Sequence, residues 1–342
     1  MEELTQAIYH YLTTATSSSF VGQDVAIISH WEGADNLLWR VACGGQEAVV
    51  KYYLDAGQAR GRRQYDGQER FHGRGLAPQP LWFDRYPTGL SRQLLVYRWA
   101  PGVELDGTEE RQLVQMAQAV AQVHGGDPTE VRRFSPNPVN LDYLWKVLHG
   151  GLPSAQAWLQ QGNAHEFANW LSAAAANAQA LVDAALPLWQ GVAPTPVHGD
   201  LKLENTIESL GTVLLLDWEL FGIGDAAYDV ALFLAFSQSV VTTARREQWL
   251  ESYLAAFSQP GIARRIGIYE RILPFQQLLY LLHGLRQNTV EEADLLRANQ
   301  SFLSTTILAT VQRSAAALQV ASIIDEEEIA KLFTPGFTRI VP

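Results

Sequence analysis

The stretch from Pro196 to Ala231 constrains this chain more than any other, because its apolar and turn residues alternate as a loop followed by a short hairpin. It reads P-V-H-G-D-L-K-L-E-N-T-I, then V-L-L-L-D-W-E, then G-D-A-A-Y-D-V-A. Asn205 to Ile207 has strand character, and Ser209 to Thr212 has turn character, with Gly211 as the permissive residue. Val213 to Leu216 is an apolar return strand. An antiparallel return carries Asp217 back beside Asn205. Asp200 precedes Asn205 by a short loop, so its carboxylate can point one way while Asn205 reaches another.

Two carboxylates and a carboxamide thus gather near one end of a hairpin. Phosphoryl transfer needs such a set: a carboxylate beside the attacking hydroxyl, and oxygen ligands that hold Mg²⁺ against nucleotide phosphates. Asp200 fits the first task, and Asn205 with Asp217 fits the second. Mg²⁺ takes one or two protein oxygens and completes its shell with phosphates and water, so no larger cage is needed. Taken singly, each of the three is also an ordinary turn or cap residue. Their order and apolar flanks carry the argument.

On these motifs the chain resembles the aminoglycoside phosphotransferase and choline kinase family, small-molecule relatives of the protein kinases. His198 to Asn205 matches H-G-D-x-x-x-x-N, and Asp217-Trp218-Glu219 matches D-W-E. Gly224-Asp225 through Tyr228-Asp229-Val230-Ala231 matches G-D-x-x-Y-D-x-A. The resemblance implies an α+β, bilobal protein-kinase-like fold with a small antiparallel-sheet lobe and a larger helical one. Residues 1–99 would form the nucleotide-binding lobe, and 100–342 the helical lobe with the catalytic loop and acceptor site. It implies ATP as phosphoryl donor, Asp200 as catalytic base, and Asn205 and Asp217 as Mg²⁺ ligands. Asp229 would brace the catalytic loop from a helix. Lys202 stands where a lysine can neutralise the γ-phosphate; it also reads as a solvated loop lysine.

The rest of the chain supplies candidate nucleotide-binding parts. Leu37 to Val41 is a strand, Gly44-Gly45 a turn, and Lys51 lies on the return strand Glu47 to Tyr53. Alternation places Val49, Lys51 and Tyr53 on one face and Ala48, Val50 and Tyr52 on the other. This strand resembles the V-A-I-K strand whose lysine pairs the nucleotide phosphates. The loop Trp31 to Asn36, with Gly33 and Asn36, occupies the place of a phosphate-covering turn; it also reads as a plain hairpin turn. A helix from Gln58 to Gly73 offers Asp66 and Glu69 as partners for Lys51, and Glu69 is the favoured one. Gly61 and Gly67 weaken that helix by up to about 1 kcal/mol each. Its arginines Arg60, Arg62, Arg63, Arg70 and Arg74 read as a solvated face. The strand Gln93 to Trp99 leads into Ala100-Pro101-Gly102, a hinge where adenine would meet backbone groups near Tyr97, Arg98 and Ala100.

Lys and Arg total 25 against 36 Asp and Glu, a net charge of −11. That argues against nucleic acid or an anionic membrane as main partner, since both select basic surfaces. The one cysteine, Cys43, excludes an intramolecular disulfide and a thiolate zinc site. The first residues lack signal-peptide features and no apolar run spans a membrane, so a cytoplasmic protein is expected.

Beyond Pro101 the pattern is helical. Thr108 reads as the N-cap of a helix buried through Leu113, Met116, Ala117, Val120 and Val123, ending at Gly125-Gly126. His124, at the end of that stripe, reads as a packing or hydrogen-bonding residue. Further helices are expected over Phe167 to Leu186, Gln248 to Phe257, Ile266 to Arg286, Thr305 to Leu318 and Glu326 to Phe333.

The acceptor is expected to be a small-molecule hydroxyl on an aminoglycoside, amino alcohol, sugar amine or homoserine-like compound. Candidate acceptor residues are Trp218, Glu219, Asp142, Trp145, Tyr280 and His283; aromatic faces among them can hold a cationic group. Two other classes stay open. An atypical protein kinase would carry A-P-E after the metal motif, which is missing, and here Trp218-Glu219 stands in place of Phe-Gly. A nucleotide-binding pseudokinase scaffold would lack one of Lys51, Asp200, Asn205 or Asp217, yet all are present. His198 as a hydrolase base has no G-x-S-x-G partner, so a loop-shaping role is expected for it.

Overall fold

The computed structural model describes residues 2–33, 35–55, 59–287 and 299–334. Ala34 of the expected phosphate loop and Gln58 at the expected helix start lie outside the described residues.

Strands β1 (Val25–Glu32), β2 (Asn36–Cys43), β3 (Gln46–Tyr53), β4 (Pro80–Asp84) and β5 (Leu94–Arg98) form an antiparallel sheet in the order β1-β2-β3-β5-β4. Gly44 and Gly45 close the β2–β3 hairpin with φ of 58° and 78°. Two consecutive left-handed residues make the turn whose twist matches the flanking strands. The register sets Lys51 opposite Leu38 on one side and Leu95 on the other. As alternation predicts, Ala48, Val50 and Tyr52 face one way. They join Trp39 and Val41 in a core capped by Ile8, Tyr11 and Leu12 of helix α1 (Glu2–Thr14). Val49 and Lys51 face the other way. Helix α1 is not anticipated from the sequence, because only three of its side chains are buried in an otherwise polar run.

Helix α2 (Arg60–Phe71) keeps its two glycines for packing rather than propensity. A Cβ on Gly61 would stand 2.8 Å from ring carbons of Phe83 and Tyr53, and one on Gly67 2.8 Å from the Trp218 ring. The helix lies against aromatic rings at a distance only glycine permits.

Helix α3 (Glu110–His124) buries the expected apolar stripe and stops at Gly125. Its start differs from expectation. Thr108 donates its N–H and hydroxyl to Asp106 at 2.8 and 2.6 Å, so a local turn captures it and Glu109 becomes the N-cap.

The second hairpin pairs β8 (Thr206–Ser209) with β9 (Thr212–Leu215), and the short strand β6 (Val103–Glu104) adds to β8. Its turn residues Leu210 and Gly211 have φ of 51° and 83°. Asn205, expected in the strand, instead ends a 3₁₀ turn (Leu203–Asn205), and its carbonyl accepts the Leu216 N–H at 2.8 Å. That bond sets Asp217 beside the loop. Strands β7 (Thr195–Val197) and β10 (Gly222–Gly224) form a separate antiparallel pair.

The remaining helices are α4 (Leu141–Gln161), α5 (His165–Ala185), α6 (Ala226–Phe236), α7 (Thr243–Ala256), α8 (Ile262–Gln287), α9 (Gln300–Leu318) and α10 (Glu326–Lys331). Helix α7 begins ahead of its expected start because Thr242 caps it, accepting the Arg245 N–H. By internal packing the chain divides into two compact units. One comprises Met1–Asn137, Pro194–Asp229 and Phe236–Ser258; the other comprises Pro138–Ala193, Val230–Ala235 and Gln259–Pro342. The expected α+β class holds, with a small antiparallel sheet and a larger helical portion. No helix among the described residues is long and apolar enough to cross a membrane.

Candidate active site

Within the first unit, a cleft of about 700 Å³ is lined by Lys51, Asp200, Lys202, Asn205, Asp217 and Glu219, together with Gly33, Asn36, Tyr97 and Ala100. The five-stranded sheet and its flanking residues contribute Lys51, Gly33, Asn36, Tyr97 and Ala100, and the loop and hairpin around β8 and β9 contribute Asp200, Lys202, Asn205, Asp217 and Glu219.

Lys51 is 3 % exposed, so its ammonium requires carboxylate partners. It lies 2.9 Å from Asp217 Oδ1 and 2.6 Å from Glu219 Oε1. Burial works to lower its pKa, but Asp217 and Glu219 outweigh burial and hold it above the ordinary lysine value. Burial also raises the Asp217 carboxyl, yet Lys51 more than offsets this and leaves it below the usual carboxylate range. Glu219 goes the other way. Burial pushes its carboxyl up, Lys51 pulls it down, Asp217 pushes it up again, and the balance lies above its ordinary value. Among the described residues, Glu219 is further held by Asn36 Nδ2, which donates to Oε1 at 3.3 Å, and by Arg60 at 3.6 Å from Oε2. Arg60 also pairs with Asp35.

Asp217 has φ 57° and ψ 62°, a left-handed conformation rare for a residue with a side chain. Such a conformation costs of order 1–3 kcal/mol and persists only where the surroundings enforce it. The Leu216 N–H bond before it and the Lys51 pair on its side chain supply that enforcement.

The catalytic-loop candidates are arranged by hydrogen bonds whose direction is fixed. Asn205 Nδ2 donates to the Asp200 carbonyl at 2.9 Å and to Asp200 Oδ2 at 2.8 Å. Both partners are oxygens, one a backbone carbonyl that can only accept, so the amide nitrogen faces them and Asn205 Oδ1 faces away. Lys202 Nζ lies 2.9 Å from the same Asp200 Oδ2. Two donors therefore hold one carboxylate oxygen, and Asp200 Oδ1 receives none among the described residues.

His198 is 1 % exposed and donates Nε2–H to the Leu216 carbonyl at 2.8 Å, leaving Nδ1 to accept the Asp200 N–H at 3.3 Å. Burial lowers its pKa, so the ring is neutral and both nitrogens are committed. It shapes the loop and has no free nitrogen to act as a base. Asp229 accepts the His198 and Gly199 N–H groups, each at 3.0 Å, and the His124 ring at 3.2 Å. His124 Nδ1 in turn meets the Tyr253 hydroxyl at 2.7 Å. Gly199, at φ 90°, is hemmed in by the Leu220 carbonyl, 2.6 Å from where a Cβ would sit.

Several expected residues fall elsewhere. Glu69 lines a surface hollow with Asp66 and does not reach Lys51. The residues that α2 offers the cleft are Arg60 and Gln64, neither a carboxylate, so both acids on Lys51 come from the D-W-E turn. Trp218 is fully buried, stacked on Phe71 at 5.1 Å, and donates to the Leu215 carbonyl, which removes it from any acceptor. Glu219 faces Lys51 rather than an acceptor. Arg98 alternates away from the cleft and donates to Gln79 at 2.7 Å, while Tyr97 and Trp99 face in. Burial pushes the Tyr97 hydroxyl up to about 12. Asp142, Trp145, Tyr280 and His283 lie in the second unit. There Asp142 pairs with Lys146, Trp145 is buried and donates to Gln179, Tyr280 accepts from Gln276, and His283 is exposed. Sequence reading missed Arg60 and Gln64 as cleft residues. Their i,i+4 spacing on α2 was the available signal.

The chain matches the model of the APH phosphotransferase enzyme family over residues 26–268 and belongs to that family. Its fold is the protein-kinase-like fold of small-molecule phosphotransferases. It is similar to a choline kinase, LicA, from Streptococcus pneumoniae, at 15% identity and TM-score 0.55, over 93% of this chain and 98% of that one. It is similar to a macrolide 2'-phosphotransferase, MphH, from Brachybacterium faecium, at 18% identity and TM-score 0.54, over 94% and 98%. A third similar structure is the aminoglycoside phosphotransferase APH(4)-Ia in ternary complex with AMP-PNP and hygromycin B, at 18% identity and TM-score 0.53, over 88% and 95%. No curated protein sequence matches.

Proposed function

We propose that this phosphotransferase moves the γ-phosphoryl group of ATP to a hydroxyl of a small molecule that also carries an amine, with Mg²⁺ as cofactor. The observation that carries the reading is the convergence of Lys51, Asp200, Asn205 and Asp217 on one cleft.

The donor set suits a nucleotide-bound Mg²⁺. Among the described residues, Asn205 Oδ1 and the second oxygen of Asp217 receive no protein donor, which leaves two oxygens for a hard cation. Mg²⁺ held there by Asn205 and Asp217 would supply charge neutralisation for the nucleotide phosphates. No group of three or more His, Cys, Asp or Glu among the described residues is arranged to hold a metal ion unaided, and a site completed by phosphates needs none.

Lys51, at the cleft end of its pair with Asp217, is the cation that would meet the α- and β-phosphates. Glu219 stays behind as the counter-charge that Arg60 and Asn36 hold in position. Trp31 and Trp99, edge to face at 6.3 Å, stand with Leu38 and Val49 as an apolar wall suited to adenine near Tyr97 and Ala100. Gly33 lets the loop close: its N–H donates to the Asn36 carbonyl at 2.9 Å, and a Cβ there would collide with the Asn36 side chain. Asp200 Oδ1 is the acceptor for the hydroxyl proton. Lys202, now on Asp200 Oδ2, is within reach of developing charge on the transferred group. Most of the rate gain comes from positioning and charge neutralisation.

A smaller hollow of about 210 Å³ adjoins Asp200 and is lined by Lys202, Leu203, Glu204, Phe236, Ser237 and Val240. Carboxylates beside an apolar wall favour a compact amino alcohol over a large polysaccharide-like antibiotic. The test is ATP consumption with a panel of amino alcohols, amino sugars, homoserine and aminoglycosides. Asp200→Ala should abolish turnover and keep nucleotide affinity. Transfer by that variant at the wild-type rate would overturn the assignment of the base.

A further inference from the structure

A second cavity, about 630 Å³, lies in the same unit and shares no wall residue with the catalytic cleft. Five of its ten wall residues are Arg62, Arg85, Arg92, Arg132 and Arg133, and none is Asp or Glu. This occurs in a chain whose net charge is −11. Arg62 stands two residues after Arg60 on α2, about 200° round the helix, so the cavity opens on the face opposite the cleft.

The five guanidiniums differ in their support. Asp66 holds Arg62 at 2.8 Å and Arg133 at 2.7 Å, which presets two of them from outside the cavity. Arg85, Arg92 and Arg132 have no carboxylate within 4.0 Å among the described residues; Arg85 only stacks on Tyr86 at 5.4 Å. Three guanidiniums without a carboxylate partner thus line one void and make it electropositive. Arginine's planar fork matches phosphate oxygens and holds them by paired, charge-assisted bonds. The volume is that of a small-molecule site, far larger than one phosphate ion needs. Phe83 and Tyr86 add aromatic surface beside the charges.

We infer that this cavity is a second binding site, for a small molecule carrying two or more phosphate groups. Such a ligand neutralises several guanidiniums at once, which a single phosphate cannot do.

The test is calorimetric titration of the full chain with inorganic tripolyphosphate, without Mg²⁺, at low salt. Wild type and Lys51→Met should bind it alike at one site. Arg92→Ala combined with Arg132→Ala, both exposed positions, should weaken binding at least tenfold while the melting temperature holds. Orthophosphate should bind at least tenfold more weakly than tripolyphosphate, and affinity should fall steeply with salt. Absence of binding at millimolar tripolyphosphate would overturn the site. So would binding that Lys51→Met removes and the arginine changes leave intact, which would assign it to the catalytic cleft. Equal affinity for orthophosphate would refute the requirement for two phosphates, and tighter binding of a single-stranded oligonucleotide would reassign the surface to a macromolecule.

Discussion

The β2–β3 and β8–β9 hairpins are built alike and use their ends differently. Each turns through two left-handed residues, Gly44-Gly45 in one and Leu210-Gly211 in the other. The first delivers its functional residue from mid-strand: Lys51 is flanked by ladder partners on both sides and fixed by register. The second delivers Asn205 and Asp217 from just outside its strands, where a 3₁₀ turn, a left-handed backbone and side-chain bonds do the fixing. A residue held by register is buried and belongs to the fold. Of the residues held at the hairpin ends, Asp217 keeps a side chain one-third exposed to the cleft, while Asn205 is buried and held by its bonds to Asp200. Placement in the ladder thus separates a group fixed by strand register from groups fixed by turn geometry and side-chain bonds.

That contrast breaks most visibly by mutation. Asp200→Asn should lower turnover by about 10²–10⁴-fold, the usual worth of a positioned base, with little change in melting temperature. Lys51→Met should lower turnover and also destabilise the fold by about 3–5 kcal/mol, because it leaves buried carboxylates without their cation. If Lys51→Met melts like wild type, the distinction between embedded and terminal residues fails. Gly67→Ala tests the aromatic seat of α2. Its Cβ meets the Trp218 ring, and an overpacking loss of about 1–3 kcal/mol should appear in denaturant unfolding.

A smaller effect comes with pH. The His198 pKa is lowered in the folded chain, so the unfolded chain binds a proton first as pH falls. Stability from this residue is full above about 6.5, the ordinary imidazole value, and is lost as pH drops below it toward the folded value. Melting curves between pH 7.5 and 5 should slope downward; a flat profile would show that the ring is not held neutral. The smallest effect sharpens the hairpin comparison. Leu210 is 95 % exposed at φ 51°, so Leu210→Gly should raise stability by up to about 1 kcal/mol, bringing the second turn level with the first.

Much of this site was legible because its spacing is local. Asp200, Asn205 and Asp217 lie within one loop and hairpin, and turn chemistry alone returns the third to the second. Lys51 was legible from alternation between a glycine turn and a strand end. The partner of Lys51 was not, since it depends on which face of α2 meets the sheet. The two glycines that set that packing looked like helix weakness when read by propensity. Trp218 was misassigned for a similar reason: adjacency in sequence to Asp217 does not reveal that a 3₁₀ turn rotates the ring onto Phe71.

The unequal treatment of the two Asp200 oxygens has a chemical consequence. With Oδ2 occupied by an amide and an ammonium, only one edge of the carboxylate can receive a proton. In the proposed role of Asp200, an acceptor hydroxyl meets the carboxylate at Oδ1. A variant that freed the second oxygen would be expected to phosphorylate more than one position on the same acceptor.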